Sequence, residues 1–260
     1  MLAIILGAIA VISVWLLSTH WPLSSAQGQE LRGIATKANS SIDTFTVGTY
    51  NIHRGRGLDG QRNLARIGRV IENCDVVGLQ EVEGPGLRYF GNQAYDLGQK
   101  CGYVAHFSPT RRHFFFPHRG NALLTRLLVQ DWQREPLSPT TGKAYRNVTI
   151  YRLFFNETII YILNTHLSKP AEQIAPLQRV IEIFLGLERA VLLGDFNSRA
   201  LDGELESLLG ADVEDATALA SNDPMQVDRI LVRGLEVSSA RSEAPGASDH
   251  PFFSATLRLK

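Results

Sequence analysis

Short apolar runs rich in β-branched and aromatic residues recur along most of the chain, and they restrict its fold more than any other feature. They read "TFTVGTYNIH" (44–53), "DVVGLQEV" (75–82), "GNALLT" (120–125), "TIIYILNTH" (158–166), "AVLLGDFN" (190–197), "QVDRILV" (226–232), "LEVSSARSE" (235–243) and "PFFSATLRL" (251–259). Further extended stretches cover 102–107, 127–135 and 145–155. Each has the length and residue types of a strand and is bounded by turn residues. Helical periodicity is rarer. It marks "NLARIGRVIEN" (63–73), with Asn63 placed to cap it, a weaker stretch at 91–100, a main helix starting at Pro176, and the short "GELESLLG" (203–210). About ten or more strands against three or four helices, with only some strands separated by helices, predicts mixed sheets. Two of them packed together and flanked by helices is the expected arrangement.

At 260 residues, 44% of them hydrophobic, the chain can form one large domain with a substantial core. Lys plus Arg number 26 and Asp plus Glu number 26, so no global basic field announces nucleic acid and no acidic field announces a solvating tail. Cys74 and Cys101 lack metal-ligand spacing and are too few for a disulfide scaffold; whether they pair is open if the chain is exported.

The clearest shift in composition is at the N-terminus. Leu2 to Leu17, "LAIILGAIAVISVWLL", carries no charge. As a helix it is roughly 24 Å long, between a signal-peptide core and a full bilayer span. Ser24-Ser25-Ala26 favours cleavage after Ala26, whereas Trp15, Trp21 and the missing leading Lys or Arg favour a retained anchor. Residues 1–26 are therefore expected to be a signal peptide or membrane anchor, 27–42 a polar linker, and 43–260 the folded domain. The protein is expected to be membrane-anchored or exported, and monomeric.

Polar residues sit at one kind of place. Asn51 follows "VGTY", Glu81 follows "VVGLQ", Asn164 and His166 follow "IIYIL", and Asp195 and Asn197 follow "VLLG"; Asp228 opens "RILV", and Asp249-His250 opens "PFFSATL". If the last strands run antiparallel to the first four, all these groups meet at one edge. Singly each is a turn former, a cap or a hydrogen-bonded structural histidine. Jointly they make an oxygen-rich cleft suited to a hard cation such as Mg²⁺ or Mn²⁺, with histidines for proton transfer, and so to phosphate-ester hydrolysis. "RRHFFFPHRG" (111–120) mixes basic groups with three phenylalanines. It is expected either to pack on the core or to touch nucleic acid or membrane.

The ordered motifs "TYNIH", "GLQEV", "GNALLTR", "NTHL", "LLGDFNSR", "VDRILV" and "SDHPF" resemble those of the endonuclease/exonuclease/phosphatase superfamily, from Asp43 to the C-terminus. The resemblance implies an α/β fold, a four-layered α/β/β/α sandwich with two packed mixed sheets. It also implies a divalent-metal-dependent phosphoesterase hydrolysing a phosphodiester by in-line water attack, nuclease-like first, with nucleic acid preferred to lipid as partner. Glu81, Asn51 and Asp249 are the implied metal side, with Asn51 ligating or positioning. Asp195 orients and helps deprotonate water, Asn197 bonds a phosphate oxygen, Asp228 orients His250, and His250 is base or phosphate clamp. His166 acts as general acid or stabilises phosphate. Asn121, Arg146 and Asn164 are implied substrate contacts. Whether His250 or Asp195 takes the proton stays open. Rival readings are a phospholipid, sphingolipid or inositol-phosphate head-group hydrolase and a non-catalytic membrane-bound module. The aromatic and cysteine residues expected near "GDxNxR" and "DRIL" in inositol-phosphate phosphatases are absent.

Overall fold

The apolar runs assemble into two seven-stranded sheets in a computed structural model of the chain, which describes residues 1–35, 43–86, 89–138, 145–169, 174–199 and 203–260. In order the elements are α1 (Leu2–Ser18), β1 (His20–Pro22), β2 (Ala26–Gly28), β3 (Thr44–Asn51), α2 (Leu64–Ile71), β4 (Val76–Glu83), α3 (Gln93–Cys101), β5 (Val104–His113), β6 (Phe116–Thr125) and β7 (Leu128–Leu137). There follow β8 (Arg146–Phe155), β9 (Thr158–His166), α4 (Ile174–Leu185), β10 (Ala190–Asp195), β11 (Val213–Asp215), α5 (Ala216–Ala220), β12 (Asp228–Arg233), β13 (Leu235–Glu243) and β14 (Phe252–Leu259). One sheet runs β1-β5-β6-β4-β3-β14-β13 and the other β11-β12-β10-β9-β8-β7-β2.

Each sheet holds one parallel pair near its centre, β3 with β4 and β9 with β10, and its other pairs are antiparallel. The ends of these four strands therefore share an edge with the starts of β12 and β14. Asp195 is in register with both His166 and Asp228.

Period-two alternation gives each sheet an inner and an outer apolar face. The inner faces meet in a core that includes Phe45, Val47, Tyr151, Ile162, Val191, Leu193, Ile230 and Phe253. On the outer face of the first sheet, Ile67 and Ile71 of α2 and Leu97 of α3 pack on Val77 and Leu79. On the second, Leu177, Val180, Ile181 and Phe184 of α4 cover Leu163, Leu192 and Leu231. Each such side chain contributes roughly 1.5–3 kcal/mol of burial, so both helices are firmly tied to their sheets. The four layers are those expected. Asn63 caps α2 by accepting from the Ala65 N–H at 3.0 Å, and Pro176 lies in the first turn of α4.

The N-terminal region departs from expectation. Ala26–Gly28, which spans the boundary between the expected signal or anchor (1–26) and the expected linker (27–42), pairs with β7, and Arg32 bridges Ala105; residues 36–42 lie outside the described residues. These edge pairings use backbone groups alone, so a polar sequence makes them without any apolar signal. The bond after Ala26 thus lies within a strand. No helix among the described residues is long and apolar enough to cross a membrane. Cys74 and Cys101 are free thiols. The phenylalanines of 114–116 do not pack on the core: β5 and β6 form a long hairpin whose turn leaves Phe115 77% exposed.

Candidate active site

The shared edge opens into a cleft of about 510 Å³ lined by Asn51, Glu81, Thr110, Arg111, Arg119, Gly120, Asn121, Tyr145, Arg146, His166, Asp195, Asn197 and His250. Eight of the eleven residues singled out from the sequence stand among these.

Glu81 reaches the cleft through a local irregularity. The β4–β6 register shifts between Leu79 and Val82, and Glu81 takes a left-handed backbone conformation, φ 53°. Bulges of this kind re-aim a side chain and concentrate at functional sites. The shift exposes main-chain carbonyls, and Asn164 supplies their donors. Its buried amide donates to Leu79 O at 3.2 Å and Ala122 O at 2.8 Å, while its oxygen accepts from Gln80 Nε2 at 2.8 Å. Gly78 permits this approach, since a Cβ there would lie 3.0 Å from Asn164 Oδ1. Asn164 is therefore not a substrate contact. It ties the second sheet to the bulge that aims Glu81. Asn164→Leu is expected to destabilise the fold by about 2–4 kcal/mol in urea denaturation, because the carbonyls left behind stay buried without donors.

Asp195, only 2% exposed, is fixed from several sides. Its Oδ1 accepts the Asn197 N–H at 2.9 Å; its Oδ2 accepts from Asn51 Nδ2 at 3.0 Å and lies 3.4 Å from His166 Nε2 and 3.8 Å from His250 Nε2. Gly194 allows the neighbouring strand so close that a Cβ there would clash with Thr165 O. Asn197, at φ 50°, turns back and donates to Leu167 O at 2.9 Å, with His166 Nε2 at 3.3 Å. Asn51 is oriented by the His53 N–H, which donates to its oxygen at 3.1 Å, leaving the amide nitrogen toward Asp195 and 3.4 Å from His250 Nε2. This orientation ties Asn51 to the Asp195 carboxylate.

His250 and Asp228 form a pair behind Asp195, with Nδ1 and Oδ2 2.9 Å apart and Gln226 Nε2 donating to the same oxygen at 3.4 Å. Ser248 pins this turn to β3 by donating to Asn51 O at 2.6 Å. Asp249 corrects the sequence reading. Its side chain is 47% exposed and pairs with His53 Nδ1 at 3.2 Å, outside the residues that line the cleft; it lies in the bend that precedes β14 and not in the strand itself.

Burial, then the negative charge of Asp228, raises Asp195 to about 7, against the opposing pull of His250. Burial raises Asp228 too, its hydrogen bond from His250 opposing the rise. Burial by itself lowers His250, but the hydrogen bond and charge of Asp228, then Asp195 and Asp249, overcome it and hold the imidazole at about 9. Burial, then the charge of Arg146, pushes His166 well below its usual range, so it is neutral.

The sequence signalled Arg111 and Arg119 only as part of a basic stretch. The hairpin pairs them directly across β5 and β6, a like-charge pairing unfavourable in itself. Burial and then Arg119 lower Arg111 to about 10; burial and then Arg54 lower Arg119. With Arg146, whose Nε donates to Ser168 Oγ at 3.2 Å, they form a cationic rim suited to a phosphate. Asn121 stands beside them, its Nδ2 donating to Asn147 Oδ1 at 3.4 Å.

Asp195, Asp228 and His250 offer ligand atoms within 4.8 Å of one another, a spacing that could hold an ion. His250 Nδ1 and Asp228 Oδ2 are paired there, while the Oδ1 of the fully buried Asp228 has no hydrogen-bond partner among the described residues. Glu81 and Asp195 line the same cleft, and carboxylate oxygens are the donors a hard divalent cation takes.

Residues 48–250 match the model of the Endonuclease/Exonuclease/phosphatase family. The chain belongs to that family, whose members include metal-dependent hydrolases of phosphate esters. Among solved structures it is similar to an endonuclease/exonuclease/phosphatase from Beutenbergia cavernae, 22% identical with TM-score 0.71 over 84% of this chain and 72% of that one. A family protein from Leptotrichia buccalis is 18% identical, TM-score 0.68, over 83% and 100% of the two chains. D. rerio TDP2 complexed with a single-strand DNA product is 19% identical, TM-score 0.59, over 83% and 99%. No curated protein matches the chain.

Proposed function

We propose that the chain is a Mg²⁺- or Mn²⁺-dependent phosphodiesterase that cleaves nucleic acid by in-line attack of water. The observation that carries this reading is a single cleft lined by the fixed Asp195 carboxylate, by Glu81 and by Arg111, Arg119 and Arg146. Glu81, with Asp195 and Asn51 alongside, would hold the cation, which when bound supplies Lewis-acid polarisation of the phosphoryl oxygen and a template for the attack.

The protein's own groups divide the remaining work. Asp195, raised toward neutrality, takes the proton from the attacking water, since a base matched to the working pH transfers protons best. His250, held protonated by Asp228, clamps a phosphate oxygen as a cation. Asn197 and neutral His166, in contact with each other, line the same space. The arginine rim binds the non-bridging oxygens and neighbouring phosphates. The DNA product in the similar TDP2 structure supports a nucleic-acid strand as substrate. A lipid head group is the second reading, favoured by the exposed apolar α1.

Hydrolysis of single-stranded DNA, RNA and phosphodiester lipids, with and without chelator, tests both. Chelation is expected to abolish cleavage and added Mg²⁺ or Mn²⁺ to restore it, with Glu81→Gln raising the metal concentration required. Chelator-resistant cleavage sinks the metal mechanism, and cleavage of lipid but not of either polynucleotide replaces the first reading with the second.

A further inference from the structure

Helix α1 presents apolar side chains in every direction: Ile4, Leu6, Ile9, Val11 and Val14 are all more than half exposed. No charged residue stands in its first or last turn. A helix meant for a protein groove carries one apolar stripe and a polar back. One that is apolar all round suits a medium that is itself apolar all round, which is lipid.

The register of β1 fixes where this helix leaves the domain. His20 pairs with His113, Trp21 with Arg112 and Pro22 with Arg111, antiparallel. Traced back from His20, the chain passes His113 toward the turn between β5 and β6, so the end of α1 and the Phe114–Phe115 turn lie at one end of the sheet. Trp15 of α1 packs edge-on against Trp21, ring centroids 5.5 Å apart, tying the last turn of the helix to β1. The turn carries exposed Phe115, and exposed Arg112 stands just before it. Tryptophans at a junction between an apolar helix and a polar domain are placed as in a membrane interface, and arginine beside an apolar tip complements anionic head groups.

We propose that α1 and the Phe114–Phe115 turn form one docking face for an anionic lipid bilayer, with Trp15 and Trp21 at head-group depth. This surface is separate from the hydrolytic residues and does not rest on the activity proposed above. It does set where the cleft stands. Tyr145, which lines the cleft, donates to the His20 carbonyl at 3.2 Å. Arg111, another lining residue, precedes Phe115 by four positions, at most about 13 Å of extended strand. Docking therefore holds the mouth of the cleft beside the bilayer surface.

The test uses the full chain and vesicles of phosphatidylcholine with or without phosphatidylglycerol, read by sedimentation and tryptophan emission so that hydrolysis plays no part. The chain is expected to sediment preferentially with phosphatidylglycerol vesicles, and Arg112→Glu to lower that partitioning about tenfold. In the F115W variant, the added emission should shift to the blue and be quenched by brominated acyl chains, with a thermal melt matching the parent. Three results overturn the proposal: equal partitioning into both vesicle types, an added indole that stays as wet on vesicles as in water, or a chain that dimerises and ignores vesicles, α1 then being covered by a second copy.

Discussion

Asp195→Asn is expected to lower phosphodiester hydrolysis by about 10³-fold at saturating metal, about 4 kcal/mol of barrier. The substitution keeps size and shape, and an amide oxygen can still accept the Asn197 N–H that Asp195 Oδ1 accepts at 2.9 Å. What it removes is the proton acceptor facing the cleft. The amide nitrogen that replaces Oδ2 also meets Asn51 Nδ2, donor against donor, where the carboxylate accepts at 3.0 Å. Stability is expected to move the other way or not at all. The native site raises Asp195 to about 7 by burial, so at neutral pH an ionised carboxylate there is under strain that a neutral amide escapes. Initial rates against DNA, paired with thermal melts, check both halves. A loss under tenfold assigns the proton to another group, and a large fall in melting temperature turns the residue into a structural one.

The strand-end pattern was legible because the chemistry sits where inner-face residues emerge from between two sheets. Asn51, Glu81, His166 and Asp195 each close an apolar run, and the structure brings all of them to one cleft. Depth along the strand was not legible. Asn164 and His166 are two apart and share a face, yet His166 lines the opening while Asn164 lies one pleat deeper, between the sheets, serving main-chain carbonyls. Asp249 is not among the lining residues although its neighbour His250 is, because the two sit in a bend whose path no strand pattern sets. Arg111 and Arg119 lie eight residues apart, and only the hairpin register brings them together over the site. Strands β1 and β2 were silent because edge pairing by main-chain groups leaves no pattern in side chains.

Asp228→Asn should be comparably damaging, about 10³–10⁴-fold in rate, although Asp228 is absent from the lining of the cleft. Its Oδ2 sits 2.9 Å from His250 Nδ1 and is what keeps the imidazole oriented and charged. An amide can present its nitrogen to Nδ1 and select the wrong tautomer, or present its oxygen and still supply no charge. Either way His250 ceases to be a cation at neutral pH. The accompanying signature is in stability. His250 is raised to about 9 in the native state from an unfolded value near 6.5, so its contribution is fully present below pH 6.5 and is lost as pH rises through 9. Metal-free wild type is therefore expected to lose more stability between those limits than metal-free Asp228→Asn. Melting both at pH 6 and pH 9 in chelator reads the difference directly. Parallel losses would mean that Asp228 leaves the His250 charge unchanged, and any rate defect would then have to come from the buried packing of its carboxylate alone.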